Sequence, residues 1–109
     1  MNNVVNKWIA QRVAAVLMIP ILLWFLFNFD NMMTYNYDEA TLFLNNKLNL
    51  SLISLIFILA FFHMRIGMGE IFEDYIHDEK IKKVLNHGVL GISLIIPIAA
   101  IVSMIILSL

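Results

Sequence analysis

The chain has no cysteine. Disulfides, thiolate zinc sites and iron–sulfur ligation by its own side chains are thereby excluded. Charge is scarce too: Asp, Glu, Lys and Arg make up 14% of the 109 residues, where a soluble domain carries about a quarter. The net charge is -1, and no basic patch is interleaved with aromatics, so nucleic acid is not an expected partner. Proline occurs twice and glycine four times, so little punctuates the chain. No internal repeat and no domain boundary is visible.

What remains is apolar. Hydrophobic residues make up 61% of the chain, and mean hydropathy is +0.87. They are gathered into runs. Residues 13–29 and 48–64 are uncharged, and residues 84–109 carry no acidic or basic side chain except His87. A helix of this length covers roughly 25 Å or more, enough with its ends to cross a bilayer core of about 30 Å. The pattern predicts an all-α membrane protein with three transmembrane helices, roughly 8–29, 48–75 and 84–108. Pro20 and Pro97 are expected to bend the first and third. The second is expected to pass Arg65 and reach Tyr75, because Gly67 and Gly69 are tolerated in membrane helices.

Residues 30–47 are polar and read as an outside loop with a short surface helix from Asp38 onward. Residues 76–83 read as a short charged loop. Residues 1–12 are polar, and the run after them lacks a small-residue cleavage site before Asp30, so the first helix is expected to be retained. Lys7, Arg12, Lys80, Lys82 and Lys83 flank one side, with Arg65 nearest it, and Lys47 alone flanks the other. The positive-inside rule then places the N-terminus on the cytoplasmic or matrix side. Trp8 suits an interfacial anchor there. Three such helices leave apolar surface on every face, which favours a subunit over an independent enzyme.

His63 is the most informative residue. Its ring lies near the end of an apolar run, where an unpartnered polar group is costly and an ionisable one is a functional candidate. Imidazole is also a common axial haem ligand. The competing reading is a histidine bonded to a neighbouring helix. His63, Gly67, Glu70 and Asp74 share one stripe of a helix. Gly67 either leaves room for a flat group beside the ring or permits close helix packing. His77 and His87 lie too far towards the cytoplasmic end to reach the depth of His63. Met18 is at a comparable depth, so a His/Met pair within the chain stays open. The simpler expectation is a second histidine from another polypeptide.

Arg12 is either a positive-inside anchor or a partner for an anion such as a haem propionate. Asp74 and Tyr75 end the second helix. They are either ordinary interfacial residues or a donor and its support for a quinone carbonyl. Glu79, Lys80, Lys82 and Lys83 are either a solvated face or a docking surface for a soluble partner.

The segment from His63 to Tyr75, His-Met-Arg-Ile-Gly-Met-Gly-Glu-Ile-Phe-Glu-Asp-Tyr, resembles the smaller hydrophobic anchor subunit of succinate dehydrogenase (respiratory complex II). That family shows a histidine, a glycine four residues on, and Asp-Tyr at eleven and twelve. Trp8, the Gln11-Arg12-Val13 start and the continuation Ile76-His77-Asp78-Glu79 match as well. The resemblance implies that His63 is one axial ligand of a haem b shared with a larger cytochrome b anchor subunit. It implies that Arg12 lies near a haem propionate, and that Tyr75 donates to ubiquinone with Asp74 in support. It implies FAD in a flavoprotein subunit, iron–sulfur clusters in an iron–sulfur subunit, and a bacterial or mitochondrial inner membrane. The chain itself would be a non-catalytic subunit. Ala14 and Ala15 stand where members often carry a small hydroxyl residue, so this turn has no hydroxyl to offer. The larger anchor's N-terminal histidine–arginine signature is absent. The rival expectations are a cytochrome subunit using His63 and Met18 alone, and a cofactor-free transporter or scaffold subunit in which His63 and Glu70 serve proton or packing roles.

Overall fold

The structure, a computed structural model, describes residues 4–109. The first three residues of the polar N-terminal stretch lie outside the described residues. Four helices follow one another: α1 (Val4–Met33), α2 (Tyr37–Asn45), α3 (Lys47–Tyr75) and α4 (Glu79–Ser108). No strand occurs among the described residues. The long helices, α1, α3 and α4, are each long and apolar enough to cross a membrane. Their length of roughly 45 Å accounts for a molecule measuring 50 × 25 × 22 Å.

The long helices extend beyond the apolar runs, because hydropathy marks the lipid-facing part of a helix and not its ends. α1 begins before Trp8 and continues three residues past Asp30. The chain passes helically through Pro20 and Pro97. The surface helix expected from Asp38 is α2. Asn36 caps it by accepting from the Glu39 backbone N–H at 2.8 Å, while the Asn36 N–H donates to the Glu39 carboxylate at 3.3 Å. This reciprocal pair satisfies two of the donors that a helix start leaves open. A single residue, Asn46, separates α2 from α3, and its side chain accepts from the Leu48 N–H at 2.9 Å.

One sequence expectation is corrected. Residues 76–83 are not a loop: only residues 76–78 are non-helical, and α4 starts at Glu79. Asp78 caps it, its carboxylate accepting from the Lys80 and Ile81 N–H groups at 2.9 and 3.3 Å. An acid just before a helix is favoured there by the open N–H groups and the helix dipole. The charged composition resembled a loop because the helix begins in water before it enters the apolar run.

α3 is the central element. It packs along α1 on one side and α4 on the other, while α2 rests against α3 and α4. On the α2 side, the rings of Trp24 and Phe43 stack at 6.2 Å between centroids, and Tyr35 meets Phe43 at 5.6 Å. Among the described residues only Ala14, Leu44, Phe72 and Pro97 are buried. Residues such as Leu26, Phe27, Ile95 and Ile106 are exposed along the spans. The molecule is held together by one central seam and leaves its outer faces to lipid or to other chains.

Candidate functional site

His63 lies on the seam between α1 and α3. Its Nδ1 is 3.2 Å from the backbone carbonyl oxygen of Gln11. A carbonyl only accepts, so Nδ1 carries the hydrogen and donates. In a neutral ring this leaves the lone pair on Nε2. Histidines that bind metals through Nε2 are commonly oriented in this way, with the other nitrogen donating to a carbonyl or carboxylate. The donor set therefore fits an axial haem ligand: one imidazole, its tautomer set, its ring half-buried among apolar neighbours. Among the described residues no group of three or more His, Cys, Asp or Glu could hold a bare metal ion.

Gly67, one turn from His63, also faces α1. A Cβ placed there would come 3.2 Å from Nε2 of the Gln11 side chain. Of the two readings of Gly67, the structure displays close packing, with the Gln11 amide lying over the glycine. Gln11 thus meets the histidine with its main chain and the glycine with its side chain. Its contribution was not singled out from the sequence, because the acceptor is a backbone carbonyl that no residue type announces. An amide at the mouth of an apolar run was the available signal. On the same helix pair, an apolar groove of about 510 Å³ is lined by Ile9, Ala10, Val13, Leu17, Leu59 and Phe62, among others.

Arg12 follows Gln11 and so shares the level of His63. Its guanidinium lies over the Trp8 ring, 4.7 Å from the centroid, one helical turn away. This cation–π contact holds the charge at the polar end of α1. The structure does not join Arg12 to His63 directly.

Asp74 and Tyr75 form the last turn of α3. Both are exposed, Tyr75 by 76%, and among the described residues neither has a hydrogen-bond partner or an ion-pair partner. The phenol therefore presents a free donor at the membrane end of the molecule. About eighteen ångströms of helix separate Tyr75 from His63. His77 is exposed in the short linker, and Glu70 is exposed on α3. Lys82 facing Glu73 and Asn86 beside Gly69 fix one register between α3 and α4. In that register His63 is level with Ile92, and His87 falls five residues, roughly 7 Å, short of it. His87 is exposed. Met18 lies on α1, half-buried, and among the described residues it makes no contact with His63 by hydrogen bond.

The fold and site define a multi-pass membrane protein built as a subunit: three spans, little interior, one oriented histidine on the seam and a polar end carrying Asp74 and Tyr75. Residues 4–106 match the family described as succinate dehydrogenase/fumarate reductase transmembrane subunit, and the chain belongs to that family. It is 33% identical over 76 residues to a succinate dehydrogenase membrane anchor subunit of Reclinomonas americana. That match covers 67% of this chain and 63% of the relative, so the chain spans somewhat under two thirds of that protein's length. No solved structure matches.

Proposed function

We propose that the chain is the smaller membrane anchor of a succinate:ubiquinone oxidoreductase. It holds the flavoprotein and iron–sulfur subunits at a bacterial or mitochondrial inner membrane, pairs with the larger cytochrome b anchor, and shares one haem b with it. It contributes to the ubiquinone-reduction site but contains no complete active site. The observation that carries this reading is His63 donating from Nδ1 to the Gln11 carbonyl, with Nε2 left as the ligating nitrogen.

His63 would hold a haem iron through Nε2, together with a residue of the partner anchor. Haem, when bound, supplies a one-electron carrier in the membrane. Gln11 sets the tautomer of the ligand ring. Arg12 brings positive charge to the level of His63 and would pair with a propionate there. The open groove beside the seam presents an apolar surface at this level. Near the cytoplasmic end, the Tyr75 hydroxyl donates to a quinone carbonyl oxygen, and Asp74 orients or tunes that donor. Reducing equivalents from succinate reach the quinone through the soluble subunits. The exposed charges of Glu79, Lys80 and Lys83 belong to the face those subunits meet.

The test is purification of the chain from its native membrane in mild detergent, with a reduced-minus-oxidised spectrum and identification of the accompanying proteins. A b-type spectrum with a flavoprotein, an iron–sulfur protein and a second small anchor is the expected result. A colourless chain with none of these refutes it and favours a cofactor-free transporter or scaffold subunit.

A further inference from the structure

Lys82 differs from the other basic residues at this end of the molecule. Its side chain is only 11% exposed, while Lys80 and Lys83 are exposed. Its ammonium lies 3.3 Å from the Glu73 carboxylate on α3 and 3.3 Å from the Glu79 carboxylate on its own helix. Lys82 therefore bridges the two helices across the linker of residues 76–78. Glu73 immediately precedes Asp74 and Tyr75 in the last turn of α3. That turn is held from below by Phe72, which is buried and whose carbonyl accepts from the Ile76 N–H at 2.9 Å. On its outer side the tie from Lys82 is the one charged restraint among the described residues. Both carboxylates are exposed, Glu73 by 73% and Glu79 by 86%, so the pairs themselves contribute little to stability. A covered lysine gripping the turn that carries a functional pair has another use, namely orientation.

We infer that Lys82 is a positioning residue for quinone reduction: through Glu73 it fixes the final turn of α3 and hence the direction of the Tyr75 hydroxyl. The inference rests on the assignment of Tyr75 to the quinone site. Lys82 touches no reacting atom. It limits the rotation and fraying of the turn, and small errors in donor placement weaken a polar site disproportionately.

The experiment uses the assembled complex in membranes, normalised to the amount of co-purified flavoprotein, and compares turnover with a short-chain quinone and with an artificial acceptor. Lys82→Gln is expected to raise the apparent KM for quinone about five-fold relative to the parent complex. Lys82→Arg, which keeps the charge and reach, is expected to retain near-parental kinetics. With Glu79→Gln in the background to remove a facing carboxylate, the exchange pair Lys82→Glu with Glu73→Lys restores the bridge and is expected to recover most of the loss seen in Lys82→Glu alone. Lys47→Gln, exposed at the opposite end of α3 and outside the face that meets the soluble subunits, is the control and leaves the kinetics as they were. Tyr75→Phe runs alongside. If it is defective while Lys82→Gln behaves like the parent, the positioning role is overturned and the quinone assignment stands. If the exchange pair fails to recover what Lys82→Glu lost, the role through Glu73 is overturned. If Tyr75→Phe turns over quinone normally, the quinone assignment itself falls, and the role of Lys82 falls with it.

Discussion

At the residue scale the chain concentrates its chemistry in a few polar side chains set against apolar surroundings. His63→Ala is expected to abolish or markedly weaken haem in the assembled complex, measured as pyridine haemochrome per flavin. Stoichiometric haem with an unchanged spectrum would remove His63 from the ligand set. Tyr75→Phe keeps the ring and removes the hydroxyl, and quinone turnover is expected to be lost while succinate still reduces artificial acceptors. Gly67 is a test of packing. Gly67→Leu drives a branched side chain into the Gln11 amide, which is already 3.2 Å from an added Cβ, and overpacking of that kind costs about 1–3 kcal/mol. A lower melting temperature of the purified complex and a shifted haem band are the expected readouts. Gly67→Ala meets only the flexible end of Gln11 and is expected to do far less. His63 stands out in the sequence as a polar ring in an apolar run, whereas Asp74 and Tyr75 look like ordinary interfacial residues until the family resemblance singles them out. The partner of His63 does not stand out at all, because a main-chain oxygen leaves no mark on residue identity.

At the element scale, what the sequence makes legible is set by the solvent each segment faces. Lipid demands long uncharged runs, so the three spans are readable from composition. Water imposes no such demand, and the helix starts there are decided by single capping residues. Asp78 illustrates this. In a charged stretch it is one acid among several, yet its carboxylate holds the Lys80 and Ile81 N–H groups and begins α4 five residues before the apolar run. Asp78→Ala is expected to cost about 1 kcal/mol of local helix stability, seen as faster hydrogen exchange at Lys80 and Ile81. Unchanged exchange there would show that the cap is dispensable. For α2 the sequence predicts only a short surface helix from Asp38 within a polar stretch; its start at Tyr37 is set by the reciprocal Asn36–Glu39 cap.

At the scale of the whole molecule, α3 serves as a spine with α1 and α4 to either side, and among the described residues only Ala14, Leu44, Phe72 and Pro97 are buried. Such a chain depends on neighbours. Expression without the larger anchor is expected to lower its steady-state amount and to eliminate its haem. Undiminished, haem-loaded protein would instead support a His63/Met18 site within one chain. The absence of cysteine makes orientation directly measurable. A single cysteine at Asp38, in α2, is expected to react with a membrane-impermeant maleimide from outside the cell or organelle membrane. One at Glu79 is expected to react only after the membrane is opened. The reverse pattern would invert the topology read from the basic residues.

The bond between the His63 ring and the Gln11 main chain has a consequence beyond fixing a proton. No side-chain replacement at Gln11 removes the acceptor, because the oxygen belongs to α1 itself. Only the separation of the two helices can change it. Thinning of the bilayer, harsh detergent or departure of a flanking subunit that spreads α1 from α3 stretches this single link, and the imidazole becomes free to turn or to exchange its tautomer. The ring therefore works as a strain gauge for the lateral packing of the bundle. A spectroscopic signal assigned to the His63 imidazole, apart from the exposed His77 and His87, is expected to follow how closely α1 and α3 pack.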